Sequence, residues 1–419
     1  MRIAFLTLGC RTNQAESARI EQILNAAGHQ TVDSAIDAEI CIINTCSVTA
    51  KADYQSRQLI SRALKANAEV FVTGCYAELN SAFIKEKKST IRVISNRDKN
   101  SIINMITHNI SPITLIKSQY ERHRPVIKVQ DGCNNECSYC IIPRARGAST
   151  SISPEEVLEE VMRFESNGFE EVVLSGIHLG IYGKDLKPAY NLTKLLEMLL
   201  LKSSIRRIRL SSIEINEISD DLLDIIDDSR ICKHLHIPLQ SGDDTILKLM
   251  KREYSVADYV KSVKTISERF DNIALGTDLI AGFPGESDSL FLNTLELIES
   301  MNFTYLHAFP YSLRPGTQAA EMLFHVPVPI KRMRVKRLRE MSHRKKIAFI
   351  NNNIGLDHHI VVETVDENVI SGTTSNYIKV LLPRTGSIVA GSLVRIRITG
   401  IENEVALAFP ISDTEPLDK

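Results

Sequence analysis

The sequence predicts an α/β protein in three parts: an N-terminal parallel sheet, a longer central run of β-α units, and a small C-terminal β-barrel. Three observations predict it. Short apolar runs alternate with amphipathic helical patterns from residue 1 to about 115. Six further strand candidates, again separated by helical patterns, follow between about 124 and 320. Beyond about 355 the runs are short, β-rich and closely spaced. The domain limits read from this pattern are 1–115, 120–350 and 355–415.

In the first part, Ile3-Ala-Phe-Leu-Thr-Leu8 reads as a buried strand and Ala15 to Ala27 as a helix ended by Gly28. Ile40 to Ile43 is a strand, Ala52 to Leu64 a helix, and Val70 to Thr73 and Ile91 to Ile94 are two more strands. This alternation argues a doubly wound, flavodoxin-like sheet. Cys10, Cys46 and Cys75 each fall just past a strand, beside Gly9, Asn44-Thr45 and Gly74. The carboxyl ends of parallel strands share one edge, and ligands bind there. A free cysteine is also a common buried hydrophobe. Three at equivalent strand ends point instead to one metal centre, whereas Cys41 and Cys232 read as core residues.

The central part opens on Asp131-Gly-Cys-Asn-Asn-Glu-Cys-Ser-Tyr-Cys140. Cys133, Cys137 and Cys140, with Tyr139 before the third, can hold three irons of a [4Fe–4S] cube and leave the fourth open to a small molecule. Zinc is the rival, but structural zinc asks for four closed ligands. This run is similar to the signature of the radical S-adenosylmethionine enzymes. The resemblance implies that the open iron chelates S-adenosylmethionine, and that one electron splits the sulfonium to a 5′-deoxyadenosyl radical.

Strand candidates at Val126–Gln130, Val172–Ser175, Ile208–Ser211, Leu235–Leu239, Ile273–Ile280 and Thr304–Phe309 match the partial (β/α)6 barrel of that superfamily. Ser153-Pro-Glu-Glu156 is a capping box with Pro at the first helical position. Chemistry in such barrels collects at the strand C-terminal mouth. The resemblance assigns Ser175 and Gly176 to the methionine amine and Ser212 and Glu214 to ribose or amine. It places Gln240 at the end of the fourth strand, Lys251-Arg252 at the carboxylate, and Gly282 to Glu286 at the adenosine. His178, His234 and His236 read as structural histidines, with acid–base or ligand roles as the alternative.

A three-cysteine N-terminal domain ahead of this core resembles the methylthiotransferases. The motifs are Gly9-Cys-Arg-Thr-Asn-Gln14, Asn44-Thr-Cys-Ser-Val-Thr49, Thr73-Gly-Cys75, Gly282-Phe-Pro-Gly-Glu286 and Tyr311-Ser-Leu-Arg-Pro-Gly-Thr317. Asn44 to Gln58 and Ser175-Gly-Ile-His-Leu-Gly180 are similar to the branch acting on threonylcarbamoyl-adenosine in tRNA. Arg11-Thr12 and Ala15 depart from that branch, which carries Lys-Val and Tyr there. The resemblance implies two [4Fe–4S] clusters, S-adenosylmethionine, a tRNA anticodon loop as substrate, and a one-electron donor such as flavodoxin or ferredoxin. The alternatives are isopentenyl-adenosine in tRNA, an aspartate of a ribosomal protein, and a non-catalytic iron–sulfur or zinc RNA-binding protein.

In the C-terminal part, His359–Glu363, Tyr377–Leu382, Leu393–Ile398 and Glu404–Phe409 suggest a β-barrel similar to the TRAM domain, with nearly balanced charge. Ahead of it lies a strongly basic helix, Lys331 to Lys346. There Met333, Leu338, Met341 and Ile347 are expected to pack inward while the cations face a phosphate backbone. Arg122, Arg124, Arg144 and Arg146 flank the cysteine loop and are expected to guide the RNA.

Composition sets the outer limits. The chain has 419 residues, 43% hydrophobic and 24% charged, with a net charge of −1, so any attraction to nucleic acid must be local. Eight cysteines without a secretory leader indicate a reducing compartment. Leu6-Thr-Leu-Gly-Cys10 has too short an apolar stretch for a lipoprotein signal. No apolar run reaches membrane-spanning length, so a cytoplasmic protein without a membrane partner is expected.

Overall fold

The computed structural model describes residues 1–66, 68–87, 91–107, 123–384, 386 and 388–411. Its N-terminal part runs β1 (Arg2–Thr7), α1 (Arg11–Ala26), β2 (Gln30–Val32), β3 (Ile40–Thr45), α2 (Ala50–Lys65), β4 (Glu69–Gly74), α3 (Cys75–Leu79), α4 (Ser81–Lys87), β5 (Arg92–Val93) and α5 (Ser101–Thr107). The strands pair only in parallel, in the order β2-β1-β3-β4-β5, which is flavodoxin-like winding. Both faces are covered, and the side chains of β3 divide between them. Ile40 and Ile42 pack with Ile20, Leu24 and Ile102 on one side, and Cys41 and Ile43 with Ile60, Val72 and Ile84 on the other. The short edge strand β2 escapes the sequence pattern because none of its residues is buried.

The central part runs β6 (Val126–Lys128), β7 (Gln130–Asp131), α6 (Ile142–Arg146), β8 (Thr150–Ser151), α7 (Pro154–Ser166), β9 (Glu171–Ser175), α8 (Leu192–Lys202), β10 (Arg207–Leu210), α9 (Asp220–Ile226) and β11 (His234–His236). It continues through α10 (Asp244–Leu249), α11 (Val256–Arg269), β12 (Ala274–Ala281), α12 (Asp288–Ser300), β13 (Tyr305–Pro310), α13 (Gln318–Glu321) and α14 (Val328–Asn351). The parallel rows β6-β9-β10 and β11-β12-β13 meet where Ile208 bridges Ile231, giving a curved row of six strands. Alternate side chains divide between two environments. Val172, Leu174, Ile208, Leu210 and Leu235 join the helices in one apolar core. On the concave side Glu171 pairs with Arg209, His234 stacks on Tyr305 and Tyr377, and His236, Asp278 and His307 meet one another.

The C-terminal strands β14 (Asp357–Val365), β15 (Val369–Thr374), β16 (Lys379–Pro383), β17 (Leu393–Glu402) and β18 (Val405–Pro410) close into a barrel in the order β14-β15-β16-β18-β17. The strand β15 went unpredicted because Ser371-Gly-Thr-Thr374 lacks apolar alternation, although all four residues are buried. This barrel docks against the amino end of the central strands. Arg209 donates to the carbonyls of Ser375 and Thr374 at 3.0 and 2.9 Å, and the Tyr377 ring stacks on His234 at 4.2 Å. Beneath them Glu171 is fully buried between Arg207 and Arg209 at 2.8 and 2.7 Å. Burial raises its pKa, but Arg207, Arg209 and Arg124 outweigh that and hold it at about 2.

On α14 the buried face is Arg334, Val335, Leu338 and Met341. Met333 is exposed rather than packed inward, Ile347 is half-buried, and Arg334 is sunk against Glu286 instead of facing solvent.

Candidate active site

The cysteine loop lies between β7 and β8, which pair antiparallel at its base. Cys133 N–H donates to Gly147 O at 3.1 Å, Ser138 binds Leu249 O and Met250 O at 2.7 and 3.1 Å, and Ala319 N–H returns to Ser138 O at 2.8 Å. The loop is therefore pinned from three directions. Its thiols are free and close together, so that Cys133 helps raise the pKa of Cys137. Burial pushes Cys140 up to about 12, helped by Cys137 and Cys133. Burial also raises Cys137, against the pull of Arg252, whose Nη1 lies 3.4 Å from its Sγ. Tyr139 packs edge-on against Phe283 at 6.4 Å, and the neighbouring Arg252, Cys137 and Cys140 act on its hydroxyl.

His178 belongs to this site, contrary to the structural role read from the sequence. Its Nδ1 is 3.4 Å from Cys133 Sγ and its Nε2 is ion-paired with Glu217. Burial lowers its pKa, but the bonds to Cys133 and Glu217 lift it to about 10. The ring thus lies between the Cys133 sulfur and the Glu217 carboxylate.

The other mouth residues fall as follows. Ser175 is buried at the end of β9, and Gly176 follows it against the Gln130 side chain. Glu214 is ion-paired with Arg252, so a carboxylate already occupies that guanidinium. Lys251 does not join it but turns outward, 3.8 Å from Glu136. Gln240 sits after β11 at φ 71, with its backbone tied to Asp278 and Ile280. Gly282 N–H donates to Glu286 at 2.6 Å, an internal brace of that loop. Sequence reading missed a polar line down the lumen. Ser212 Oγ lies 2.8 Å from His236 Nδ1, His236 Nε2 3.3 Å from Asp278, and Asp278 3.2 Å from His307 Nδ1. The signal was there as polar residues at period two, His234 and His236 in one strand and Tyr305 and His307 in another.

The N-terminal cysteines converge through topology. Cys10 caps α1, Cys46 follows β3 and Cys75 opens α3, all on the carboxyl edge of the sheet. The positive φ of Gly9 and Gly74, 106° and 95°, lets these turns form, and a side chain on Gly74 would strike the Thr45 backbone. Asn13 joins two turns by donating to Leu8 O and Thr45 O at 2.7 and 3.0 Å. Asn44 donates to Asn13 O at 2.9 Å, and Thr45 Oγ1 to Thr73 O at 2.6 Å. Burial raises the Cys46 thiol to about 11, and Cys75 and Cys10 add to it. Each triad offers three free thiols, with Cys41 and Cys232 buried elsewhere in the core. That donor set fits an iron–sulfur cube with one open iron better than a closed zinc tetrahedron.

Arg146 joins the two sites. Its side chain is fully buried, bonded to Asn13 and Glu16 of α1 and to Asp131 at 2.7 Å beside the central cysteines. It also lowers the Cys75 pKa by charge and hydrogen bond. Lys99 and Lys128 complete the cluster around Glu16, which they and Arg146 hold well below the carboxylate range despite burial. Arg146 is thus an internal strut and does not guide RNA. Arg124 is likewise paired with Glu363 and Glu171, and Arg144 donates to Pro315 O at 3.2 Å. Arg122 lies outside the described residues.

Comparison with known proteins shows the family. The family described as "Radical SAM superfamily" matches residues 127–298, and "Uncharacterized protein family UPF0004" matches residues 2–95. The threonylcarbamoyladenosine tRNA methylthiotransferase MtaB of Bacillus subtilis is 36% identical, covering 94% of this chain and 93% of its own. Its counterpart in Aquifex aeolicus is 36% identical over 95% of this chain and 100% of its own. A tRNA-2-methylthio-N(6)-dimethylallyladenosine synthase of Moorella thermoacetica is 30% identical over 94% of this chain and 95% of its own. Among solved structures, the radical S-adenosylmethionine methyltransferase TsrM of Kitasatospora setae, with cobalamin and a [4Fe–4S] cluster bound, superposes with a TM-score of 0.58. It is 12% identical and covers 76% of this chain and 77% of its own, a likeness of fold.

Proposed function

The chain belongs to the radical S-adenosylmethionine tRNA methylthiotransferase family, and from that premise we infer that it converts N6-threonylcarbamoyladenosine beside the anticodon to its 2-methylthio derivative. Identity to the threonylcarbamoyladenosine relatives, 36% and 36%, exceeds the 30% shared with the dimethylallyladenosine synthase of Moorella. The chain uses S-adenosylmethionine and a [4Fe–4S] cluster, as its superfamily does. Cys133, Cys137 and Cys140 are the ligands we assign to that cluster, and Cys10, Cys46 and Cys75 to a second one. When bound, the first supplies the electron that cleaves the cofactor to a hydrogen-abstracting radical.

The observation that carries the two-cluster reading is the Arg146 junction, which sets both triads at one interface. A substrate carbon between them faces radical chemistry on one side and a sulfur source on the other, as replacing an unactivated C–H by C–S requires. Ser175, Gly176, Gln240 and Gly282 line the mouth where the cofactor would lie. Arg252 holds Glu214 beside Cys137, where that carboxylate is suited to a ligand amine. Ser212, at the head of the lumen line, would reach the ribose. Tyr139, packed on Phe283 beside the cysteines, would complete that cofactor wall.

We assign residues 1–115 to the sulfur-bearing cluster, 120–350 to cofactor and substrate, and 355–415 to closing the lower end of the lumen. A flavodoxin or ferredoxin is the electron source we expect, in the cytoplasm. Among the described residues no helix is long and apolar enough to cross a membrane. The test is mass spectrometry of nucleosides from tRNA of cells with and without the gene. Loss of 2-methylthio-threonylcarbamoyladenosine is expected. Loss instead of the methylthio group on isopentenyl-adenosine, or on a ribosomal aspartate, would overturn the substrate.

A further inference from the structure

The lip of the central barrel exposes what a folded surface normally hides. Phe324 is 82% exposed with its backbone at φ 62, and Leu323 beside it is 75% exposed. A bulky residue at positive φ is strained, and adjacent apolar side chains in water gain nothing from folding. The backbone is nonetheless anchored, since Gly285 N–H donates to Phe324 O at 3.0 Å. The ring is therefore displayed from the α13–α14 connection, tied to the loop that follows β12 at the mouth. Phe309, 43% exposed, stands at the same end of β13.

Helix α14 starts from this lip. Lys331 lies over Gly282, and Arg334 donates to Glu286 O at 2.9 Å, which fixes the first turns. With Arg334, Val335, Leu338 and Met341 buried, the opposite stripe of Arg332, Lys336 and Arg339 is exposed. It lines a groove of about 770 Å³ that begins at Pro310, next to Phe309, and ends at Glu404 of the C-terminal barrel. Glu404 is balanced by His343 and Lys346 at 2.7 and 3.5 Å. Among the described residues no carboxylate pairs with Arg332 or Arg339, and Lys336 reaches only Glu340, at 3.9 Å. The C-terminal barrel differs: its Arg395 and Arg397 both clamp Asp357, at 2.8 and 2.7 Å.

We propose that Leu323, Phe324 and Phe309, with the Arg332–Lys336–Arg339 stripe, form the platform on which the anticodon arm docks. Stem phosphates lie along the stripe and unpaired loop bases stack on the apolar lip, one of them passing into the lumen. The combination is specific to single-stranded RNA beside a duplex, since cations neutralise phosphates and aromatic faces hold splayed bases. This rests on the tRNA reading above and adds where the RNA sits and which part of the chain holds it.

The test measures binding of a synthetic anticodon stem-loop carrying threonylcarbamoyl-adenosine to the full-length holoenzyme at several salt concentrations. The triple variant R332E/K336E/R339E is expected to bind weakly and to lose about 2 to 3 units from the log–log salt slope. Phe324→Ala should weaken binding roughly tenfold and leave that slope intact. Iron content and circular dichroism establish that each variant is folded. If the triple variant does not fold, Arg339→Gln alone should lower the slope by about 1. Wild-type affinity and slope in these variants, with binding lost instead in K379E/R384E, would overturn the platform and move RNA to the C-terminal barrel. A wild-type chain that ignores the stem-loop but binds a ribosomal protein would overturn the tRNA reading itself.

Discussion

The two cysteine triads both sit at the carboxyl edge of parallel strands, yet they are held in opposite ways. Cys133, Cys137 and Cys140 share one loop, closed by its own backbone bonds and pinned to α10 and α13. Cys10, Cys46 and Cys75 come from three separate strand ends, and side chains from neighbouring turns hold them in register. Asn13, Asn44 and Thr45 do that work by bonding across the turns. The loop triad is a local object, and its polar neighbours Arg252 and His178 touch the sulfurs directly. The sheet-edge triad is an object of the whole N-terminal fold, so a fault anywhere in those turns should reach it.

The same difference decides what the sequence could disclose. The loop triad is legible as spacing, because ligands close in sequence need only one tight loop. The sheet-edge triad is legible through strand period, since each cysteine follows a buried β run. The struts are not. Nothing in Arg146 by itself separates a buried ion-pair partner from an RNA-facing cation, because its partners Asn13, Glu16 and Asp131 come from elsewhere in the chain. His178 read as structural for the same reason, since Cys133 and Glu217 meet it only in three dimensions. The strands β2 and β15 were missed where burial and apolar pattern disagree, one too exposed and the other too polar.

The comparison breaks most severely at Arg146. Arg146→Met removes the most buried of the cations around Glu16 and Asp131 and leaves Lys128 alone to bridge the two carboxylates, at a cost near the low end for a broken buried pair, about 3 kcal/mol. Urea unfolding of the cluster-free chain checks this. Methylthiolation should fall further than cofactor cleavage, because the residue holds the junction and acts on Cys75 by charge and hydrogen bond. Arg146→Lys should recover only part of both, since an ammonium cannot reproduce the fork to Asn13, Glu16 and Asp131.

A smaller effect comes from outside both triads and sharpens the contrast. Burial first, and then His359, push His358 in β14 down to about 4, with Asp357 opposing. The unfolded chain binds that proton near 6.5, so it carries more protons than the fold between about 6.5 and 4. Stability is therefore present above that window and lost as the pH falls through it, by up to roughly 3 kcal/mol. His358→Gln should flatten the pH dependence of urea unfolding in the cluster-free chain. An unchanged profile would place the acid sensitivity elsewhere, with the buried His234 the next group to replace.

The division of labour between the triads is tested most directly by assaying Cys137→Ala and Cys46→Ala side by side, with iron content confirming the remaining cluster in each. Formation of 5′-deoxyadenosine and of methylthiolated tRNA nucleoside is followed in the same tubes. Cys137→Ala is predicted to lose both products. Cys46→Ala is predicted to keep cofactor cleavage and lose only the methylthiolated nucleoside. Equal loss of cleavage in two folded variants, or methylthiolation surviving Cys46→Ala, would contradict it.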